Sequence, residues 1–248
     1  MNAKVNPALR LLRILQAAEK IPNNRKERDA WSELLGVDSD NTRDILTAIA
    51  EFIKLVNEAR DALGRVEDVN QEIYMEPFSS IDEALSEINL NTNWQSFKSH
   101  LDPATMTSMK FCADTLNSTW SEAPIDKDEL AHLLKDVQDL ISEVMAASYH
   151  RDLKAAILDS LRTIEHAILA YDLRGASGIR KAIESTLGSL FIMRDEIRNL
   201  PEDQKEQDSL LVRVFRYVTR INDVISVSRG IQAIGPAIIG LLTGPNGS

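Results

Sequence analysis

The sequence is poor in the residues on which disulfide-rich and sheet-rich folds depend. It has one cysteine, Cys112, so no disulfide can form within the chain. The 10 glycines and 8 prolines are fewer than a chain of 248 residues usually has, and aromatic residues make up only 5%. Sandwiches and barrels use turn residues and aromatics more heavily, so the composition argues against a sheet-rich fold.

The charge is strongly unbalanced towards acid. Acidic residues number 38 and basic residues 28, which gives a formal net charge of −10. A chain of this charge is repelled by nucleic-acid backbones, so we predict no nucleic-acid partner. Residues 1–28 depart from this trend, because they hold seven basic residues, Arg10 and Arg13 among them, and two acidic ones. We expect this segment to pack against the acidic remainder; an anionic membrane surface or an acidic partner is the alternative.

The single cysteine also bears on the compartment. Cys112 lies among apolar neighbours, which is typical of a buried and unreactive thiol. Arg10 and Arg13 interrupt the first apolar stretch, so it does not have the form of a secretory signal. Both observations predict a cytoplasmic protein.

Helix-starting signals recur along the chain. Asn6 and Asp102 each precede a proline, an arrangement in which the polar side chain caps a helix and proline occupies its first position. Two further pairs, Ser80 with Glu83 and Asp126 with Glu129, have the spacing of a capping box. These signals predict four helix starts.

The strongest apolar periodicity runs from Ile45 to Ile73, in alternating steps of four and three residues. This spacing predicts one long helix that lays a single apolar stripe on a neighbouring helix. Asn70 occupies a position in the stripe, where a polar side chain would fix the register of the two helices.

A second long tract, from residue 126 to residue 199, carries two apolar stripes about half a turn out of phase. A straight helix could not present both stripes to one core, so we predict a break between Ser148 and Arg151. Gly175 and Gly178 predict a second joint. A last helix is predicted from its apolar positions, which are Leu211, Val214, Val218, Ile221, Ile225 and Ser228.

Together these elements predict an all-α fold, a bundle of long antiparallel helices with a cap of shorter ones. We assign residues 1–229 to a single helical domain and place the cap around residues 78–122. Its aromatic residues are predicted to anchor it to the bundle, and they are Phe78, Trp94, Phe97, Phe111 and Trp120.

Catalytic motifs are weak. Glu129 and His132 have the Glu-x-x-His spacing of a carboxylate-bridged metal site, but such a site needs two of these motifs and His132 is predicted to face solvent. Arg162 and His166 resemble a ribonuclease motif with too few residues between them. Nucleotide-binding glycine loops and zinc-ligand spacings are absent from the sequence. We therefore predict a protein that is not an enzyme, with no catalytic, metal or cofactor-binding residue and no cofactor.

Residues 230–248 contain no charged residue and hold half of the glycines. The apolar part is about 12 residues long, whereas a membrane-spanning helix needs about 20. Three interpretations stay open: the segment folds back on its own bundle, docks into a partner or a second copy, or inserts shallowly into a membrane. The residues predicted to make such a contact are Ile231, Ile234, Ile238, Ile239, Leu241 and Leu242, with Arg10 and Arg13 in the basic first segment.

The sequence therefore favours a non-enzymatic helical interaction protein, of the scaffold, adaptor or immunity type. Its partner is predicted to be another protein or a second copy of the chain, which would make it a homo-oligomer. The alternative is a membrane-active helical protein of a bacterial conflict or defence system, in which the apolar segment is the membrane-contacting element.

Overall fold

The structure is a computed structural model that describes residues 5–67, 69–119, 124–193 and 205–229. Within these ranges it has ten helices and no strand. The nearest approach to a sheet is one isolated antiparallel bridge between Lys26 and Asn93. The predicted all-α class is therefore confirmed, and the finer prediction of a bundle of long antiparallel helices stays a prediction.

The chain divides into two compact units, Met1–Ser121 and Glu122–Ser248, which is a finer division than the single domain predicted over residues 1–229. The helices of unit 1 are α1 (Pro7–Lys20), α2 (Glu27–Leu35), α3 (Thr42–Gly64), α4 (Gln71–Ser86), α5 (Gln95–Lys98) and α6 (Pro103–Thr119). Those of unit 2 are α7 (Lys127–Ala146), α8 (Arg151–Leu169), α9 (Tyr171–Ile192) and α10 (Lys205–Arg229).

In unit 1, α4 and α6 belong to the core. Helix α6 packs on α1 and α4, and α3 packs on α1 and α4. Helices α4 and α6, which carry much of the block around 78–122 that was predicted as a cap on a bundle of long helices, thus pack on other helices of this unit. Phe78, Trp94 and Phe97 are buried as the predicted anchors should be, whereas Phe111 is 63% exposed and Trp120 lies outside the described residues.

Three of the predicted helix starts are confirmed by side-chain hydrogen bonds. Asn6 Oδ1 accepts from the backbone N–H of Leu9 at 2.8 Å and caps α1. Asp102 Oδ1 accepts from the N–H of Thr105 at 2.7 Å at the start of α6. At α7, Asp126 Oδ1 accepts from the N–H of Asp128 at 2.8 Å.

The single long helix predicted from Ile45 to Ile73 is wrong. Helix α3 ends at Gly64, and Asn70, predicted to lie in the apolar stripe, instead caps α4. The Gln71 side chain closes the turn, because its Nε2 donates to the carbonyl oxygens of Leu63 at 3.2 Å and Val66 at 3.0 Å. Apolar spacing continues across this turn and so does not reveal it.

The helix start predicted at Ser80 is also wrong. Helix α4 begins nine residues earlier, at Gln71, and Ser80 and Pro77 both lie inside it. Proline disfavours a helix interior, because it has no N–H to donate. Burial of Phe78, Ile81 and Ala84 on one face offsets that cost.

In unit 2, the break predicted between Ser148 and Arg151 is confirmed. Helix α7 ends at Ala146 and α8 begins at Arg151. The Lys154 side chain holds the turn, since its Nζ donates to the carbonyl oxygens of Met145 at 2.6 Å and Ala147 at 2.9 Å.

The second joint lies at Gly175, where α9 kinks. Its backbone has φ 61° and ψ −168°, a conformation open almost only to glycine. Gly178 is helical, but a Cβ there would lie 2.4 Å from the Cβ of Arg174. Both predicted glycines thus have a structural reason, one in backbone conformation and the other in the space beside it.

The interior of unit 2 is mainly aliphatic. The predicted stripe on α10 is buried at Leu211, Val214, Val218, Ile221 and Ile225. Arg213 of α10 pairs with Glu143 of α7, and Arg220 pairs with Asp136 and Glu129. These pairs run in opposite order along the two helices, so α7 and α10 are antiparallel.

Candidate protein-interaction surface

The six apolar residues predicted to contact a partner or membrane follow the end of α10. All of them, from Ile231 to Leu242, lie outside the described residues, and so their contacts stay a prediction. Among the helices that the structure describes, none is both long and apolar enough to cross a bilayer.

The two arginines predicted to join that contact lie in different environments. Arg10 is 3% exposed, and its Nη2 donates to Glu58 Oε2 of α3 at 2.8 Å. Its Nε and Nη1 have no hydrogen-bond partner among the described residues. Arg13, three residues further along α1, is exposed. Arg10 therefore belongs to the interior of unit 1 and is left out of the contacts proposed below.

The histidines of the two sequence motifs lie at the surface of unit 2. His132 is exposed, as predicted, and its partner in the motif, Glu129, accepts a hydrogen bond from Arg220 at 3.1 Å. His166 is exposed as well. No group of three or more histidine, cysteine or acidic side chains in the described ranges is arranged to hold a metal ion.

Cys112 is buried, as predicted, and burial raises the pKa of its thiol to about 11. The thiol therefore stays protonated at neutral pH, which is typical of a structural cysteine and not of a nucleophile.

The best-organised surface feature is a pair of loops in unit 1, which we call the paired loops: residues 21–26 between α1 and α2, and residues 87–94 between α4 and α5. Three backbone hydrogen bonds join them. Trp94 N–H donates to Arg25 O at 2.8 Å, Gln95 N–H donates to Asn23 O at 3.1 Å, and the N–H of Glu27, the first residue of α2, donates to Thr92 O at 2.9 Å. The two loops therefore form one hydrogen-bonded element.

A buried carboxylate lies beneath this element. Glu27 is 0% exposed, and its Oε2 accepts from Asn89 N–H at 2.7 Å and from Thr92 Oγ1 at 3.2 Å. Burial raises the pKa of Glu27, and the hydrogen bonds from Asn89 and Thr92 offset part of that rise. The carboxylate thus fixes loop 87–94 from below, at a cost in desolvation.

Aromatic packing supports the paired loops from the core. The Trp94 ring stacks on Phe97 at 4.8 Å between centroids and meets the Trp31 ring edge-on at 5.1 Å. Its Nε1 donates to Ala18 O at 3.0 Å, and Lys98 Nζ donates to Ile21 O at 3.0 Å. Sequence reasoning found Trp94 and Phe97 as anchors, but it missed the pairing of two loops that are far apart in the chain.

The ion pairs between α7 and α10 were missed as well. Asp136 and Glu143 of α7 pair with Arg220 and Arg213 of α10. The matching spacing of seven residues on the two helices was a usable signal. Comparison with known protein families, curated proteins and solved structures finds no match to this chain.

Proposed function

We propose that this chain is a non-enzymatic helical interaction protein that binds a protein partner, a second copy of itself included, through residues 230–248. The observation that carries the proposal is the composition of that segment, which has no charged residue in a chain that is 27% charged. Burying its six large aliphatic side chains would contribute on the order of 10 kcal/mol gross, at 1.5–3 kcal/mol each. That free energy favours a state in which they are covered.

Several large apolar side chains are exposed, among them Phe111 at 63% and Ile192 at 79%. Single exposed apolar residues are common on soluble proteins and need no partner.

The test compares the full chain with a chain that ends at Arg229, by sedimentation velocity over a range of concentrations. We expect the full chain to associate and the shortened one to sediment as a monomer. A matched pair of variants keeps the length constant. Ile238→Asp with Ile239→Asp introduces charge at two of the proposed contact positions, whereas Thr243→Asp introduces it at a polar one. The first should abolish association and the second should preserve it.

Two results would contradict the proposal. If both chains are monomers and the shortened one unfolds at a lower denaturant concentration, the segment covers its own bundle. If the full chain alone co-sediments with liposomes of anionic lipid and does not self-associate, the segment is a membrane-contacting element, which is the alternative that the sequence leaves open.

A further inference from the structure

Helix α3 has a second apolar stripe, on its outer face. Leu46 is 52% exposed, Ile53 is 38% exposed, and Ala50 between them is exposed as well. Steps of four and three residues keep these three side chains within an arc of about 60° around the helix. The residues that α3 buries in unit 1 lie on the opposite side. The outer stripe is therefore open to solvent along about two turns of the helix.

Two charged residues without a partner lie on the same face, one beyond each end of the stripe. Arg43 is in the first turn of α3 and Asp61 is in the last. Both side chains are exposed, and neither has a hydrogen bond or ion pair within the described ranges. They are 18 residues apart, so they lie on one line along the helix, separated by roughly five turns, about 27 Å.

The other charged side chains of α3 all have partners. Asp44 accepts from Asn41 Nδ2, Lys54 pairs with Glu51, Glu58 pairs with Arg10, and Arg60 pairs with Asp82 of α4. The turn after α3 contains Arg65 and Glu67, whose charges cancel, so it neither attracts nor repels the acidic turn at residues 38–41 strongly. Arg43 and Asp61 are thus the charges of α3 that stay unpaired among the described residues.

Each of these two charges is at the unfavourable end of its own helix. A helix has a partial positive charge at its N-terminus and a partial negative charge at its C-terminus, so a cation is disfavoured at the start and an anion at the end. A partner of one charge would pair with only one of the two residues. An antiparallel helix with an anion opposite Arg43 and a cation opposite Asp61 would pair with both, and α3 of a second copy has its charges in that order.

We propose that the outer face of α3, from Arg43 to Asp61, binds the same face of a second copy of the chain, with the two helices antiparallel. A twofold axis beside Phe52, midway between the two charges, places Arg43 of each copy opposite Asp61 of the other. Ile53 is then next to the axis and faces Ala50 of the second copy, whose small side chain lets the helices approach closely. The contact covers the apolar stripe and forms two ion pairs.

The contact is small, so we expect it to be weak by itself. It consists of three apolar side chains from each copy and two exposed ion pairs, each of which contributes little. It is therefore populated at high protein concentration, or after another contact has joined two copies and raised their effective concentration. The proposal does not depend on residues 230–248, because it uses other residues of the chain.

Disulfide trapping detects a weak contact of this kind. Ile53→Cys places a thiol beside the axis in the full chain, where two copies come within the range of about 7 Å between Cα atoms that a disulfide needs. Lys110→Cys is the control, at an exposed position on α6, and the native Cys112 is buried in both chains. On oxidation at millimolar protein, we expect at least fivefold more cross-linked dimer from Ile53→Cys than from Lys110→Cys.

Charge exchange in the Ile53→Cys chain tests the pairing. Arg43→Asp brings aspartates together across the axis and Asp61→Arg brings arginines together, so each should lower the yield of dimer at least threefold. An equal mixture of the two chains should recover most of the yield, because every pair in the mixed dimer joins an aspartate to an arginine. Each substitution suits the helix dipole, so both chains should fold, which circular dichroism checks.

Three outcomes would overturn the proposal: equal cross-linking of Ile53→Cys and Lys110→Cys, an unchanged yield in both charge variants, or a mixture that gives no more dimer than either variant alone. Equal cross-linking in a chain that self-associates would mean that residues 230–248 alone join the copies, and the proposed function would stand without the contact on α3. Specific cross-linking at residue 53 in a chain whose association does not change on removal of residues 230–248 would give the reverse result.

Discussion

The two units of this chain differ in the contacts that stabilise the interior of each one. Unit 1 joins distant segments by directional bonds, such as Trp94 Nε1 to Ala18 O and Glu27 to Asn89 N–H, and it contains the cluster of Trp31, Phe52, Trp94 and Phe97. The buried cluster of unit 2 is mostly leucine, isoleucine, valine and alanine.

The ion pairs between α7 and α10 of unit 2 contribute little to its stability. Arg213 and Arg220 pair with α7 at the surface, with side chains about half exposed. Exposed pairs of this kind contribute about 0–1 kcal/mol, so apolar burial positions α10. We conclude that side-chain hydrogen bonds and aromatic packing fix the paired loops of unit 1, whereas apolar burial positions α10 in unit 2. Substitutions of single residues can break or sharpen this comparison.

The largest effect is expected at Trp94 of unit 1. Trp94→Ala should lower the free energy of unfolding by about 3–5 kcal/mol, because it empties the space beneath the paired loops. Urea unfolding followed by tryptophan fluorescence measures it, since all three tryptophans lie within Met1–Ser121. Trp94→Phe keeps a ring and removes the bond to Ala18 O, so it should cost less, about 1–3 kcal/mol. Equal costs for the two variants would show that ring packing contributes little.

An intermediate effect is expected at the kink of α9. Gly175→Ala should cost about 1–3 kcal/mol, because alanine is strained at φ 61°, ψ −168°. Gly188→Ala is the control in the same helix. A Cβ there meets nothing within 4 Å, so this change should stabilise the protein by about 0.5–1 kcal/mol. Thermal unfolding by circular dichroism distinguishes the two, and a stabilising Gly175→Ala would contradict the described backbone.

The smallest effect concerns pH and Glu27. A carboxyl group whose pKa is raised by folding favours the folded state below its ordinary pKa of 4.5, and that contribution is lost as pH rises through the folded-state pKa. Glu27→Gln keeps an acceptor for Asn89 N–H and removes the titration. The variant should therefore lose less stability than the wild type as the pH rises from about 4.5 to 7.

Tryptophan fluorescence during urea unfolding at several pH values measures this difference, with Glu33→Gln as the exposed control. A variant with an unchanged pH dependence would show that Glu27 ionises normally despite its burial.

The parts that sequence reasoning predicted are those set by local rules. Caps at Asn6, Asp102 and Asp126 follow from side chains within three residues of the N–H groups that they bind, and the joint at Gly175 follows from the conformational freedom of glycine. The turn between α3 and α4 was not predicted, because the apolar spacing is the same on both sides of it. The residues that form the turn, Asn70 and Gln71, are polar and do not interrupt that spacing.

The candidate surfaces were harder to predict. Arg10 lies in a basic segment of the sequence and was therefore predicted to be at the surface. No neighbouring residue in the sequence indicates that Arg10 is buried and paired with Glu58 of α3. The sequence gives no sign that the loops of Asn23 and Asn93 lie together, because their pairing depends on contacts between distant parts of the chain. Such placement is set by tertiary packing, which residue spacing does not encode.

The side-chain bonds that hold the paired loops join residues 62 to 77 positions apart. Bringing the ends of so long a stretch of chain together lowers its conformational entropy before any of these contacts has formed. A ribosome-bound chain that has emerged only as far as α4 contains Glu27 and Trp31 without Asn89, Thr92 and Trp94. During synthesis, the side-chain bonds that support residues 21–26 can therefore form only after the chain has been made as far as α5.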